Sequence, residues 1–196
     1  MFHDIPMKIK RRMRYLEKLD AVQRTMNVSD EERLKQIPPA TGKFIGLLAA
    51  TSPPGMMLEI GTSAGYSTLW LATVCKKLGR RLVTIERLES KISLARETIE
   101  KAEIEDVVEL VHGDARDLVG LYKNISFCFL DIDKEYYLET YQLVVPNLVS
   151  GGLLVADNIS SHQHILGKFV RKVFKDKRVD AIIVPIGSGE LVCRKV

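Results

Sequence analysis

The chain has 196 residues, 46% of them hydrophobic and 28% charged, which is enough for one domain with a sizeable core and excludes disordered and collagen-like classes. No apolar run is long enough to cross a bilayer, and the basic start MFHDIPMKIKRRMRYLEK leads into no apolar secretory core. The formal net charge is +4, much of it from Lys8, Lys10, Arg11, Arg12 and Arg14, read as a solvated helix face, while the rest of the chain is close to balance and offers no extended nucleic-acid footprint.

The cysteines Cys75, Cys128 and Cys193 are odd in number and far apart, so they read as reduced, buried thiols of a cytoplasmic protein, not as a disulfide frame or a zinc site. Roughly the first fifty residues read as helical. Thr41 to Leu48 should pack on a sheet, and the stretch before Pro38-Pro39 reads as a cap or lid. From there strands and helices alternate. Met57–Ile60 is a strand after the breaker Ser52-Pro53-Pro54-Gly55, followed by a helix from Tyr66 to Leu78, a strand over Leu82–Ile85, a helix from Glu89 to Ala102 and a strand over Val107–Val111. A short helix near Arg116 to Leu121 precedes the strand Phe127–Leu130, a helix from Glu135 to Leu148, the strand Leu153–Ala156 and a helix from His164 to Phe174. The strands Ala181–Val184 and Glu190–Lys195 are joined only by a short Gly-Ser-Gly link, which predicts an antiparallel hairpin.

Short continuous apolar strands are those buried by helices on both faces, so the expected fold is α/β, a doubly wound, mostly parallel seven-stranded sheet ending in that hairpin. In such sheets ligands bind beyond the carboxyl ends of the strands. The first strand ends in Glu59-Ile60-Gly61-Thr62-Ser63-Ala64-Gly65-Tyr66-Ser67, where the glycines allow a tight turn and close backbone approach. The spacing is not G-x-G-x-x-G, which argues against a nicotinamide cofactor. Taken alone it is also an ordinary strand-to-helix turn. Glu86 at the end of the second strand suits ribose hydroxyls, with a solvent-facing acid as the alternative; Asp114 in Gly113-Asp114-Ala115 suits an adenine edge or, equally, a helix N-cap.

The next two strands end in Asp131-Ile132-Asp133-Lys134 and Asp157-Asn158, on the same rim of a parallel sheet. Asp131, Asp157 and Asn158 can supply three oxygen ligands to a hard cation, Mg²⁺ with Ca²⁺ or Mn²⁺ as alternatives. The competing readings are a helix cap for Asp131 and turn chemistry for Asp157-Asn158. Trp70, Tyr136 and Tyr137 read by default as aromatic core, and His162 and His164 as exposed loop residues.

Taken in order, LEIGTSAGYSTLWLA, VTIER, HGDARDL, FLDIDKEYY and GGLLVADN resemble the cation-dependent O-methyltransferase family, which includes the catechol and caffeoyl-CoA enzymes. The resemblance runs from about Ile37 to the C-terminus and implies one Rossmann-like methyltransferase domain over 1–196, with 1–50 a helical cap and 51–196 the core. It implies S-adenosylmethionine as cofactor. Glu59, Gly61, Ser63 and Ser67 would lie around its methionine part, Glu86 at the ribose, Asp114 and Ala115 at the adenine, and Ile37 closing over it. Asp131 would serve cofactor, cation and catalysis, and Lys134 would remove the acceptor's proton. The implied reaction is methyl transfer to a small molecule with adjacent hydroxyls. The basic N-terminal segment keeps an RNA or protein methyltransferase open, and a non-catalytic cofactor-binding module is a third reading. A homodimer and no membrane partner are expected. The loop after Asn158 is short for this family, which leaves the acceptor unnamed.

Overall fold

The computed structural model describes residues 2–29 and 31–196. Its sheet has seven strands in the order β3-β2-β1-β4-β5-β7-β6. They are β1 (Met56–Ile60), β2 (Leu82–Glu86), β3 (Val108–His112), β4 (Ile125–Leu130), β5 (Leu148–Ala156), β6 (Val179–Val184) and β7 (Glu190–Lys195). β1 to β5 pair in parallel; β7 runs antiparallel between β5 and β6, as the short link predicts. The strand order reverses between β1 and β4, and the rim at that switch point is where a ligand crevice forms in an open α/β sheet.

Seven α-helices accompany the strands among the described residues: α1 (Met7–Thr25), α2 (Pro39–Thr51), α3 (Tyr66–Leu78), α4 (Glu89–Ala102), α5 (Ala115–Leu118), α6 (Tyr137–Val144) and α7 (Gln163–Val173). Successive strand residues point to opposite faces, so each buried strand feeds two cores. Met57, Phe127, Phe129 and Val155 pack with α1 to α4 on one face. Leu58, Ile60, Cys128, Leu130, Leu154 and Leu191 pack with α5 to α7 on the other. The three cysteines are free and buried, and burial pushes each thiol up, Cys75 and Cys193 to about 12. No helix is long and apolar enough to cross a membrane among the described residues.

Several boundaries differ from the sequence reading for local reasons. The helix expected over 135–148 is a 3₁₀ turn (Lys134–Tyr136), α6 and a second 3₁₀ turn (Val145–Asn147). Pro146 sits at the start of that last turn, where its missing N–H costs nothing. β5 then begins at Leu148, ahead of Gly151-Gly152, because Leu148 pairs with Ile125 of β4 and that ladder outweighs the glycines. The N-terminal region is helical only in part: α1 ends at Thr25, Pro38 and Pro39 start α2, and the described residues between them are irregular. The basic stretch is not wholly solvated. Arg12 is buried against α4, donating to Thr98 Oγ1 at 3.0 Å and pairing with Glu97 at 2.9 Å, and Lys8 pairs with Glu103. Arg11 and Arg14 remain exposed. These contacts dock α1 on the sheet's helical layer.

Candidate active site

A cleft of about 950 Å³ opens on the rim above β1, β2 and β4. Its floor is the turn after β1. Gly61 has φ +100° and Gly65 φ +86°, conformations that favour glycine, and Gly65 is the N-cap of α3. The N-terminus of α3 therefore points its free N–H groups at the cleft, a favourable place for negative charge. Glu86, at the end of β2, is held on both carboxylate oxygens, by Ser63 N–H at 2.7 Å and Leu88 N–H at 2.8 Å.

Residues 31 and 33–37 form the outer wall. Ser63 Oγ donates to Leu34 O at 3.0 Å, and Lys91 Nζ donates to Glu32 O and Arg33 O, both at 2.9 Å. Burial lowers Lys91, partly offset by the nearby Glu86 charge. This lysine was not singled out in the sequence, where it is one basic residue of an ordinary amphipathic helix.

Of the site residues expected from the sequence, Ile37, Gly61, Ser63, Ser67, Glu86, Asp114, Ala115, Asp131, Lys134 and Asn158 line the cleft. Two do not. Glu59 is fully buried behind the floor, and its Oε2 accepts from Thr68 Oγ1 at 2.5 Å and Thr84 Oγ1 at 2.6 Å. It braces the turn from below. Asp157, 3% exposed, also lies behind the wall. The Asp114 carboxylate caps α5 through Arg116 N–H at 2.9 Å and is gripped by the Arg116 guanidinium at 2.6 and 2.9 Å, which holds it well below the usual carboxylate range. Asp114 is thus the N-cap that the sequence allows, and it also lines the cleft. Arg116 in turn lies 4.0 Å from the centroid of the Tyr136 ring, at the cleft edge.

Glu59 has a measurable consequence. Desolvation pushes it up to about 7 against hydrogen bonds from Ser67, Thr68 and Thr84, and the charge of Asp131 adds to the rise. A carboxyl whose folded value exceeds its ordinary 4.5 keeps its proton longer when folded, so its contribution is most favourable at low pH and is lost as pH rises toward 7. The span corresponds to about 3 kcal/mol. Thermal melts should therefore show Glu59→Gln gaining on the parent chain between pH 5 and pH 8, by up to about 10 °C. A constant difference across that range would mean that Glu59 does not titrate as described.

The remaining wall carries the polar chemistry. Lys134 Nζ donates to Asp131 Oδ1 at 2.8 Å, to Ile132 O at 2.9 Å and to Tyr137 Oη at 3.1 Å. Tyr137 is fully buried and donates to Asp157 O at 3.2 Å, so this aromatic is both core and support for Lys134. Asp157 Oδ1 accepts from Asn158 N–H at 2.5 Å, and Asn158 sits in the left-handed region at φ 64°. Beside Asp157, at the first position of β7, lies Glu190, which the sequence reading passed over as a strand end. Burial pushes both carboxyls up, with the Asp131 charge adding to the rise of Asp157 and the Asp157 charge to that of Glu190, which rises further. Asp131 and Asn158, with Asp157 next to them, form a hard-oxygen set, and the excess of carboxylate over the single Lys134 ammonium suits a divalent cation. Among the described residues no three His, Cys, Asp or Glu side chains gather as a metal would require, so such a set depends on the Asn158 amide. His162 also lines the cleft, its ring 6.4 Å from that of His164, and Ile165 adds an apolar patch beside it. Trp70 is core, against Phe2 and Tyr66.

Residues 10–196 match the family described as O-methyltransferase. The chain is 34% identical over 128 residues to a catechol O-methyltransferase of Niastella koreensis, covering 63% of this chain and 58% of that protein. It is 36% identical over 120 residues to a catechol O-methyltransferase of Mycobacterium tuberculosis, covering 60% of this chain and 54% of that protein. It thus spans a little over half the length of these curated relatives. Among solved structures, the O-methyltransferase from Bacillus cereus in complex with SAH superposes with a TM-score of 0.80 at 25% identity, over 95% of this chain and 91% of that one. The family match covers the whole sheet and every wall of the cleft described above, and on that ground the chain belongs to the O-methyltransferase family.

Proposed function

We propose that this chain transfers a methyl group from S-adenosylmethionine to a hydroxyl oxygen of a small molecule bearing adjacent hydroxyls, with a divalent cation, Mg²⁺ in the first instance, held by Asp131, Asp157 and Asn158. The observation that carries the reading is the placement of Lys134 Nζ, 2.8 Å from Asp131 Oδ1 on the cleft wall that Asn158 also lines. An amino group, a carboxylate and an amide side chain thus share one rim, across from the glycine turn, which supports these roles. The family membership and the SAH complex of the Bacillus cereus relative support the cofactor; the catechol O-methyltransferase relatives support the acceptor class.

The chain's residues divide the work. Glu86, preset by two backbone N–H groups, accepts from the ribose hydroxyls. Gly61, Ser63 and Ser67, on the cleft floor, would lie under the methionine end, and Ala115 with the Asp114–Arg116 pair would wall the adenine end. When bound, the sulfonium supplies an electrophilic methyl group, and the cation supplies charge that favours the ionised acceptor oxygen. Lys134, as the free amine, would take the hydroxyl proton at Nζ and become the ammonium that Asp131, Ile132 O and the Tyr137 hydroxyl hold in place. The Asp131–Asn158 rim would fix the acceptor's two oxygens and so restrict the orientation of the one that is methylated. Ile37 and the 31–37 wall, which line the cleft, would keep water from the reacting atoms.

The test is transfer of labelled methyl from S-adenosylmethionine to a panel of catechols, flavonoids and acyl thioesters, with and without chelator. Transfer to vicinal hydroxyls is expected, lost with EDTA and restored by Mg²⁺, while calorimetric binding of SAH is unaffected by EDTA. Chelator-insensitive transfer would overturn the cation's role, and labelling of none of the panel would overturn the acceptor class.

A further inference from the structure

Three carboxylates stand in one line across the sheet. Leu130 of β4 pairs with Ala156 of β5, and Ala156 pairs with Leu191 of β7. One step further along the same register come Asp131, Asp157 and Glu190. Strand alternation sends all three to the face that carries Phe129 and Val155. Adjacent strands are separated by about 4.8 Å, so Asp157 has a carboxylate neighbour on each side. Asp131 is balanced by Lys134 at 2.8 Å. Glu190 is not balanced in this way. It is fully buried, neither of its oxygens has a hydrogen bond of ordinary geometry, and it forms no ion pair among the described residues. Asp157 and, across from it on α2, Thr41 are its polar neighbours.

Like charges directly opposite each other on paired strands are unfavourable, and a buried carboxylate without a partner more so. An apolar side chain would serve the strand and the core better at position 190. A break in local preference beside a candidate site points to a role in that site.

We propose that Glu190 is a positioning residue for the cation site, holding the Asp157 carboxylate from the side opposite Asp131. This rests on the cation reading given above. Groups behind a metal ligand commonly fix its orientation by hydrogen bonding, and losing them weakens metal affinity about 10–100-fold. Glu190 is not itself a ligand, since no three acidic side chains are gathered around one point among the described residues.

Mn²⁺ binding to the full chain with SAH, read from the EPR signal of the free ion, tests the proposal alongside thermal melts. Glu190→Leu is expected to melt at a higher temperature than the parent chain and yet to bind Mn²⁺ at least about tenfold more weakly. Glu190→Gln, which keeps the length of the side chain and can place an amide N–H beside Asp157, should bind within about threefold of the parent. Glu190→Asp, with its carboxyl drawn back by one methylene, should lose affinity even if the leucine variant fails to fold. SAH affinity should be the same in all of them. Parent-like Mn²⁺ binding by the leucine or aspartate variant, or an equal loss in the glutamine variant, overturns the positioning role alone. A parent chain that binds no Mn²⁺ overturns the cation reading and this one together.

Discussion

Asp157→Ala should lower methyl transfer to a catechol at saturating Mg²⁺ by at least about a hundredfold, since losing even a group behind a metal ligand costs 10–100-fold. SAH affinity should stay within about twofold of the parent value. The two readouts separate because of where Asp157 sits. It follows β5, next to Asp131 and Asn158, and is absent from the cleft surface that Gly61, Ser63, Glu86 and Ala115 form. Asp157 is also buried and close to Glu190, so removing its charge relieves repulsion and should not unfold the chain. Asp157→Asn, nearly isosteric, should lose transfer to a similar degree. Full activity in either variant would remove Asp157 from the site, and a parallel loss of SAH binding would make its role structural.

The second large effect is on stability. Gly61 adopts φ +100°, and a Cβ placed there would run into the backbone carbonyl of Asp131. Neither obstacle can be relieved by a side chain moving aside. Gly61 N–H is bonded to Ile85 O and Asp131 N–H to Ile60 O, both at 2.9 Å, so the clash falls between two pinned strands at the switch point. Backbone strain and overpacking each cost about 1–3 kcal/mol. Gly61→Ala should therefore destabilise by about 4 kcal/mol, a fall in Tm of roughly 10 °C. Because Asp131 must shift, Lys134 and the cation set should be displaced too, and activity should fall even below the new Tm. Gly120, with open space around its Cβ position, is the control, and Gly120→Ala should leave Tm within about 2 °C. A Gly61→Ala chain as stable as that control would show the turn to be more adaptable than its two hydrogen bonds suggest.

The alternation of strand and helix, the parallel sheet and its closing hairpin are legible in the amino-acid sequence, because they depend on local periodicity and on connection length. The residues at the strand ends are legible for a related reason. In a parallel sheet every carboxyl end lies on one rim, so Gly61, Glu86, Asp131 and Asn158 are brought together by topology alone. What a side chain does after reaching that rim depends on neighbours distant in sequence. Glu59 and Asp157 lie behind the wall instead of on it, because Thr68, Thr84 and Glu190 occupy the space around them. Arg12 is drawn out of a basic stretch into the core by Glu97 and Thr98. Lys91 is committed to backbone carbonyls of the 31–37 wall. Glu190 gave no signal as the first residue of a strand. Only the pairing of β7 against β5 sets it opposite Asp157 and leaves two buried carboxylates sharing a space with too little positive charge, and that imbalance is a property of the tertiary structure.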